Sequence, residues 1–165
     1  MVFVGIDPGV NGSMVCIEPG NKTGVYHCLS WLKDNTNYEK VADWLSDLQP
    51  KDTQVVLERV SGWIGGRKDA LGNSQPGSRM FVFGQSYGAL QMALTCLGFD
   101  YHTVRPYHWQ KFLSLDRPKQ LSKSQYKPYL KNKAQNLFPG LSVTLYLADA
   151  LLLGVYACKL FKQTI

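Results

Sequence analysis

Three carboxylates in this sequence stand where a purely structural acid is least expected. Asp7 ends the apolar run Val2-Phe3-Val4-Gly5-Ile6, Glu58 follows Val55-Val56-Leu57, and Asp149 lies within Leu147-Ala148-Asp149-Ala150-Leu151-Leu152-Leu153. Burying a carboxylate is costly unless it is hydrogen-bonded, paired or bound to a metal. Each has an ordinary alternative. Asp7 before Pro8-Gly9 is a common turn residue, Glu58 can pair with Arg59 or a surface lysine, and Asp149 suits the first turn of a helix through the helix dipole. Taken together, the three favour a shared site. Mg2+ binds through oxygen, typically using one or two carboxylates plus waters and substrate phosphate. Two such ions about 4 Å apart suit phosphodiester cleavage, activating a water and stabilising the leaving oxygen. His27, His102 and His108 have no partner at ligand spacing. The cysteines Cys16, Cys28, Cys96 and Cys158 are scattered without a close pair, so a zinc site is not indicated. They read as reduced core residues.

The elements that must carry these acids follow from hydrophobic pattern. Val2 to Ile6, Ser13 to Ile17 and Gly24 to Leu29 form a three-strand meander around the turns at Asp7–Gly12 and Glu18–Asn21. Val41, Trp44, Leu45 and Leu48 have helical spacing over Tyr38 to Leu48. Gln54 to Leu57 is a strand ending at Glu58. Ser61 to Ser78 is a long Gly-, Ser- and Asn-containing loop of the kind that carries function. Met80 to Leu97 is a helix and Asp100 to Val104 a strand. Pro106 opens a helix through Leu113, Asp116 to Tyr126 is a basic loop, and Pro128 opens a helix through Phe138. Thr144 caps a last helix over about Leu145 to Phe161. A meander followed by alternating strands and helices predicts an α/β fold, a mixed sheet with helices on both faces.

The chain has 165 residues, enough for the single domain expected over 1–165. A domain of this size buries about two thirds of its unfolded surface, so it needs no disulfide or structural metal. The net charge of +6 suits an anionic partner such as nucleic acid or an acidic membrane surface. No apolar run reaches the roughly 20 residues that span a bilayer. The first residues lack the basic stretch of a signal peptide, so the expected location is the cytoplasm, or an organelle after removal of a transit peptide. Arg105, Lys111, Arg117, Lys119, Lys123, Lys127, Lys131 and Lys133 concentrate positive charge, with Asp116 almost alone against them. Arg67, Lys68 and Arg79 add charge near Glu58 in sequence. Lysines and arginines that neutralise phosphates make binding salt-dependent. A solvated face is the usual alternative.

Val4-Gly5-Ile6-Asp7-Pro8-Gly9 resembles the opening strand of RuvC-like Holliday-junction resolvases, and Val55-Val56-Leu57-Glu58-Arg59-Val60 resembles their second acidic strand. Leu147-Ala148-Asp149-Ala150-Leu151-Leu152 is similar to their C-terminal helix. Gln75 to Gly84, Ser86-Tyr87-Gly88 and Lys133-Ala134-Gln135-Asn136-Leu137-Phe138-Pro139 resemble segments of phage and plastid members. The similarity runs in order along nearly the whole chain. It implies an RNase H-like mixed five-stranded sheet, a homodimer, Mg2+ with Mn2+ as a substitute, and symmetric nicks across four-way junction DNA in recombination and repair. By the same resemblance Asp7, Glu58 and Asp149 are metal ligands. Lys127 falls where similar enzymes place a basic active-site residue, and a solvated lysine is its alternative. Trp63 falls where relatives carry an aromatic that wedges into the junction centre, and a core-covering tryptophan is its alternative. Phe81, Phe83 and Tyr87 read as packing or dimer-interface residues.

One departure stands out. The resembling families place a fourth acid or a histidine three or four residues before the helix aspartate, where this chain has Tyr146 and Leu145. That keeps open a catalytically weak junction-binding protein, and a related nuclease for other branched DNA or RNA–DNA hybrids. A third class, an actin-like ATPase or kinase fragment, shares the strand-Asp-x-Gly turn but needs two such domains.

Overall fold

Strand polarity and side-chain alternation explain how two distant acids reach one spot. The computed structural model describes residues 1–9, 12–20, 28–30, 37–59 and 77–161. In chain order these form β1 (Val2–Asp7), β2 (Ser13–Ile17), β3 (Cys28–Ser30), α1 (Asn37–Ser46), a 3-10 turn (Pro50–Asp52), β4 (Thr53–Glu58), α2 (Gly77–Cys96), β5 (Tyr101–Val104), α3 (Pro106–Phe112), α4 (Lys123–Leu137) and α5 (Ala148–Leu160). The sheet runs β3-β2-β1-β4-β5. The first three strands are the antiparallel meander, while β4 and β5 join parallel to β1. No described helix is long and apolar enough to cross a membrane.

Alternate residues of a strand face opposite sides of the sheet, and the core divides accordingly. Phe3, Val15, Ile17 and Val56 pack against α3, α4 and α5. Val4, Ile6, Met14, Cys16, Val55 and Leu57 pack against α1 and α2 through Val41, Trp44, Leu45, Leu90 and Leu94. Asp7 shares the parity of Phe3, and Glu58 shares that of Val56, so both belong to the α5 side. Parallel pairing of β1 with β4 ends at Ile6 and Leu57. Each acid is the next residue, at the same end of adjacent strands spaced about 4.8 Å apart.

Helix α5 is buried on nearly every side, Ala148 through Val155 without a break. An apolar helix of this kind belongs inside a core. Its seat on β1 is unusually close. A Cβ added at Gly5 would lie 2.2 Å from the Ala150 carbonyl oxygen and 2.3 Å from the Gly154 nitrogen. A Cβ at Gly154 would meet Ile17 Cδ1 at 2.7 Å. Ser13, paired with Asp7 in the β-ladder, donates its hydroxyl to the Tyr146 carbonyl at 3.0 Å and ties the turn before α5 to the same strand end.

Several elements differ from the sequence expectations. Helix α4 begins at Lys123 and contains Pro128, rather than starting at that proline. Ser122 and Gln125 form a reciprocal capping box there, satisfying amide donors at the helix start. The expected basic loop through Tyr126 is therefore partly helix, and Lys127 sits on α4. Helix α2 starts at Gly77, inside the expected loop. Helix α5 starts at Ala148, although Thr144 Oγ1 does accept from the Leu147 amide at 3.1 Å, as expected of a cap. Cys16 and Cys158 are buried free thiols, but Cys96 is exposed at the end of α2, which corrects its reading as a core residue.

Because the Gly5 contact is backbone against backbone, Gly5→Ala has no side chain to push aside. Overpacking of this kind costs about 1–3 kcal/mol or more, and each kcal/mol lowers the midpoint of a domain this size by about 2–4 °C. Thermal and urea melts of the variant should show that loss, and an unchanged midpoint would mean that α5 does not rest on β1 at this residue.

Candidate functional site

Asp7, Glu58, Asp149 and Lys127 line one open pocket at the strand ends. Gly9 and Gly12 of the turn after β1, and the exposed Leu145 and Tyr146, complete its wall. The turn is shaped by its first residue, since the Gly9 amide donates to Asp7 Oδ1 at 2.9 Å. Gly12 donates to the Gly9 carbonyl at 2.7 Å. A Cβ at Gly12 would lie 1.9 Å from the Asp7 carbonyl oxygen, so only glycine permits this close return.

Glu58 is held by a residue that sequence reasoning missed. Trp109, fully buried on α3, donates Nε1–H to Glu58 Oε2 at 2.8 Å. The sequence signal was weak, a tryptophan in a short helix whose buried face could not be assigned. Asp149 enters from the first turn of α5 with its side chain only 7% exposed and its Oδ2 paired with Lys127 Nζ. Its Oδ1 is buried without a hydrogen-bond partner among the described residues. Each carboxylate thus gives one oxygen to a donor of the protein itself: a backbone amide, an indole and an ammonium.

Lys127 reaches the pocket because α4 is pinned at both ends. Tyr126 Oη donates to the Leu115 carbonyl at 2.7 Å. Near the other end, Gln135 clamps the α4–α5 connection, donating to the Phe138 and Leu141 carbonyls at 3.2 and 2.7 Å and accepting from the Val143 amide at 3.1 Å.

The electrostatics follow from crowding acids in a poorly hydrated place. Burial, followed by the charge of Asp7, pushes the Glu58 carboxyl up to about 8. The Trp109 hydrogen bond and Lys127 oppose that rise. Burial and then the Asp149 charge raise Asp7 above the ordinary aspartate value, against the Gly9 amide and Lys127. For Lys127, burial is the largest single influence and favours the neutral amine, but Asp149, Asp7 and Glu58 together outweigh it and hold the ammonium above its usual value. The three acids therefore sense one another and share one cation.

These are hard oxygen donors, and a buried carboxylate oxygen without a partner is the kind of atom a cation satisfies. Asp7, Glu58 and Asp149 are the carboxylates that line this pocket. Among the described residues, no three His, Cys, Asp or Glu side chains form a ready-made metal cage.

The remaining candidates are dispersed. Lys119 is exposed between α3 and α4, and Lys131 is half-buried one turn beyond Lys127. Lys123 is the first residue of α4 and Arg79 lies in the first turn of α2. Lys111 and Lys133 lie over the Tyr107 and Tyr129 rings, at 5.7 and 5.3 Å. Trp63, Arg67 and Lys68, together with His27, lie outside the described residues.

The fold is similar to that of solved RuvC structures. RuvC of Thermus thermophilus superposes with a TM-score of 0.62 at 15% identity, covering 99% of this chain and 98% of that one. T. thermophilus RuvC in complex with Holliday junction substrate gives 0.63 at 16% identity, covering 94% and 92%. No protein-family profile and no curated protein sequence matches the chain. At these identities the likeness is one of fold.

A raised Glu58 pKa has a signed consequence for stability. Below its unfolded value near 4.5 the carboxyl is protonated in both states. As pH climbs from there towards about 8, the unfolded chain ionises while the fold resists, so stability falls across that window. Melts in EDTA should show this decline, and Glu58→Gln should flatten it. A variant with the full wild-type slope would place the origin of the pH dependence elsewhere.

Proposed function

We propose that this chain is a metal-dependent endonuclease of RNase H-like fold that nicks four-way DNA junctions symmetrically as a homodimer. The observation that carries the reading is the convergence of Asp7, Glu58, Asp149 and Lys127 on one pocket, in a fold shared with RuvC. One RuvC structure is described as a complex with Holliday junction substrate. Asp7, Glu58 and Asp149 would hold Mg2+ or Mn2+, which supplies Lewis-acid polarisation of a phosphate and acidifies a water.

The protein's own groups do the rest. The Gly9 amide and the Trp109 indole fix the orientation of Asp7 and Glu58, so little reorganisation is needed when charge develops. Lys127 presents a cation that a phosphate can meet beside Asp149. Lys123, Lys127 and Lys131 are four residues apart on α4, which puts these positions on one side of the helix. With Lys119 they make a basic approach to the pocket. Arg67, Lys68 and Arg79 are assigned to further phosphate contacts and Trp63 to stacking on an unpaired base on the strength of the sequence alone.

The outward side of α2 supports the dimer. Phe81 is 66% exposed and Met92 63%, with Gly84 and Gly88 exposed between them and the buried Leu90 and Leu94 facing inward. An apolar stripe with small central residues allows two helices to approach closely, and a two-fold axis there would give two pockets, one for each of the two nicked strands.

A second reading, a junction-binding protein without useful cleavage, is favoured by the lack of a ready-made cage among the described residues and by Tyr146 at the usual place of a fourth acid. A labelled panel of four-way junctions, flaps, linear duplexes and RNA–DNA hybrids in Mg2+ and Mn2+ separates the readings. The expected result is paired nicks in the junction alone; a gel shift without nicking in either metal favours the binder, and cutting centred on hybrids redirects the substrate.

Asp7→Asn should abolish nicking while the junction is still bound. Wild-type cutting by this variant would remove Asp7 from the chemistry. Lys131→Ala should weaken binding to all duplex-containing substrates alike and reduce the slope of log affinity against log salt by about 0.9. An unaltered slope would remove Lys131 from the phosphate contacts.

A further inference from the structure

The acid pocket is not charged throughout. Leu145 and Tyr146 line it beside Asp7, Glu58, Lys127 and Asp149, and they are 44% and 54% exposed. A single exposed leucine or tyrosine needs no explanation. Two in succession, on a fixed backbone beside a charged pocket, point to a use.

The backbone there is held from both sides. Val143 and Leu147 are buried on either side of the exposed stretch. Thr144 accepts from the Leu147 amide through its hydroxyl and from the Ala148 amide through its carbonyl, at 3.1 and 3.2 Å. The fully buried Ser13 donates to the Tyr146 carbonyl, and Ser13 is the β-ladder partner of Asp7. Tyr146 is thus tied to the strand rung that carries the first acid, through its main chain and not through its ring.

The pocket encloses about 370 Å3. That lies near the lower end of small-ligand sites, about 300–1,000 Å3, and suits one nucleotide unit rather than a duplex. Its parts match the parts of a nucleotide. The exposed Lys127 offers a cation to the phosphate. Tyr146 offers a ring to a base, and every base has a face to stack. Leu145 adds apolar surface for the sugar. Inside a duplex both faces of a base are covered by its neighbours, so such a contact is open only to a base drawn out of the stack.

We propose that Tyr146 determines specificity by stacking on one unstacked base next to the phosphate that Lys127 meets, with Leu145 against the sugar. This role rests on the nuclease reading, which sets where that phosphate lies. It adds a physical reason to prefer branched DNA, because a base beside a branch point costs less to unstack than one within a continuous duplex. The ring accepts any base, so it selects an unstacked nucleotide rather than a sequence.

The test is a double-mutant cycle between protein and DNA. Nicks are mapped on a four-way junction, and the nucleotide on each side of the nick is replaced in turn by an abasic tetrahydrofuran residue. On the intact junction Tyr146→Ala should lower kcat/KM for nicking about 5- to 150-fold, which is the ~1–3 kcal/mol of one base on an aromatic ring. Tyr146→Phe, which keeps the ring, should match wild type. At one of the two abasic positions wild type should lose a similar factor, a measurement that needs no variant, and the further loss from Tyr146→Ala should vanish there. An unimpaired Tyr146→Ala, a loss that persists at both abasic positions, or a Tyr146→Phe protein as impaired as Tyr146→Ala overturns the proposal. The Ser13 tether uses the backbone, so both variants retain it, and circular dichroism checks their folding. Wild type that nicks no substrate would instead sink the nuclease reading, and binding alone then decides. Anisotropy should show tighter binding of a labelled oligothymidylate than of an abasic oligomer of equal charge, and Tyr146→Ala should lose that advantage. An advantage that Tyr146→Ala retains overturns the stacking role.

Discussion

The arrangement of this protein depends on a place where two backbones nearly touch. Gly5 has no side chain, and the carbonyl of Ala150 and the amide of Gly154 occupy the space a Cβ would need. Everything chemical is downstream of that contact. It sets the depth and rotation of α5, and Asp149 lies between the helix start and Ala150. A helix held off by one methyl group would carry Asp149 away from Asp7, two residues beyond Gly5 on the strand. The Ser13 hydroxyl bound to the Tyr146 carbonyl fixes the approach to the same helix from β2. Packing density and the geometry of the acid pocket are here one constraint, because a close-packed core transmits sub-ångström changes rather than absorbing them.

The same constraint creates an electrostatic load. Bringing three acids to one poorly hydrated place raises the proton affinity of Asp7 and Glu58, each partly through the negative charge of its neighbours. A scaffold selected only for stability would relieve this by moving an acid into solvent. Instead, neutral donors hold two of the acids in place and a lysine offsets part of the charge. Unrelieved repulsion between pre-positioned carboxylates is what a cation-binding pocket needs, since the ion then releases stored unfavourable energy on entry. Sites of this kind commonly trade stability for function.

What the sequence disclosed and what it concealed have different physical origins. The acids at two strand ends and one helix were legible because a charged residue interrupting an apolar run breaks the local pattern at Asp7, Glu58 and Asp149. The meander and the last helix were legible because their periodicity is strong, although β3 is described only from Cys28. The start of α4 was misplaced because Pro128 was weighed more heavily than the Ser122–Gln125 capping box, and proline at a first turn is only a preference. That error put Lys127 in a loop. Trp109 was invisible as a Glu58 partner because the pairing joins residues 51 positions apart across two elements, and neither has a local signature of it. The Gly5–Gly154 contact was hidden for the same reason: glycine in a strand or helix reads as a weakness until the element opposite is known.

The two faces of the sheet divide the work. On the α5 side, strand residues alternate into a core whose polar end is the pocket, and α3, α4 and α5 each contribute one of its key side chains, Trp109, Lys127 and Asp149. On the other side, α1 and α2 cover Val4, Ile6, Val55 and Leu57 without placing a charged group in the buried cluster. The buried cluster on that face is hydrophobic, and a hydrophobic layer tolerates conservative repacking better than a fixed polar constellation does. The outward stripe of α2 is therefore free to take on association, while the helices facing the pocket are not. Substitutions of similar volume at Leu90 or Leu94 perturb the scaffold alone, whereas changes at Trp109 or Gly5 reach the carboxylates even though neither residue carries a charge.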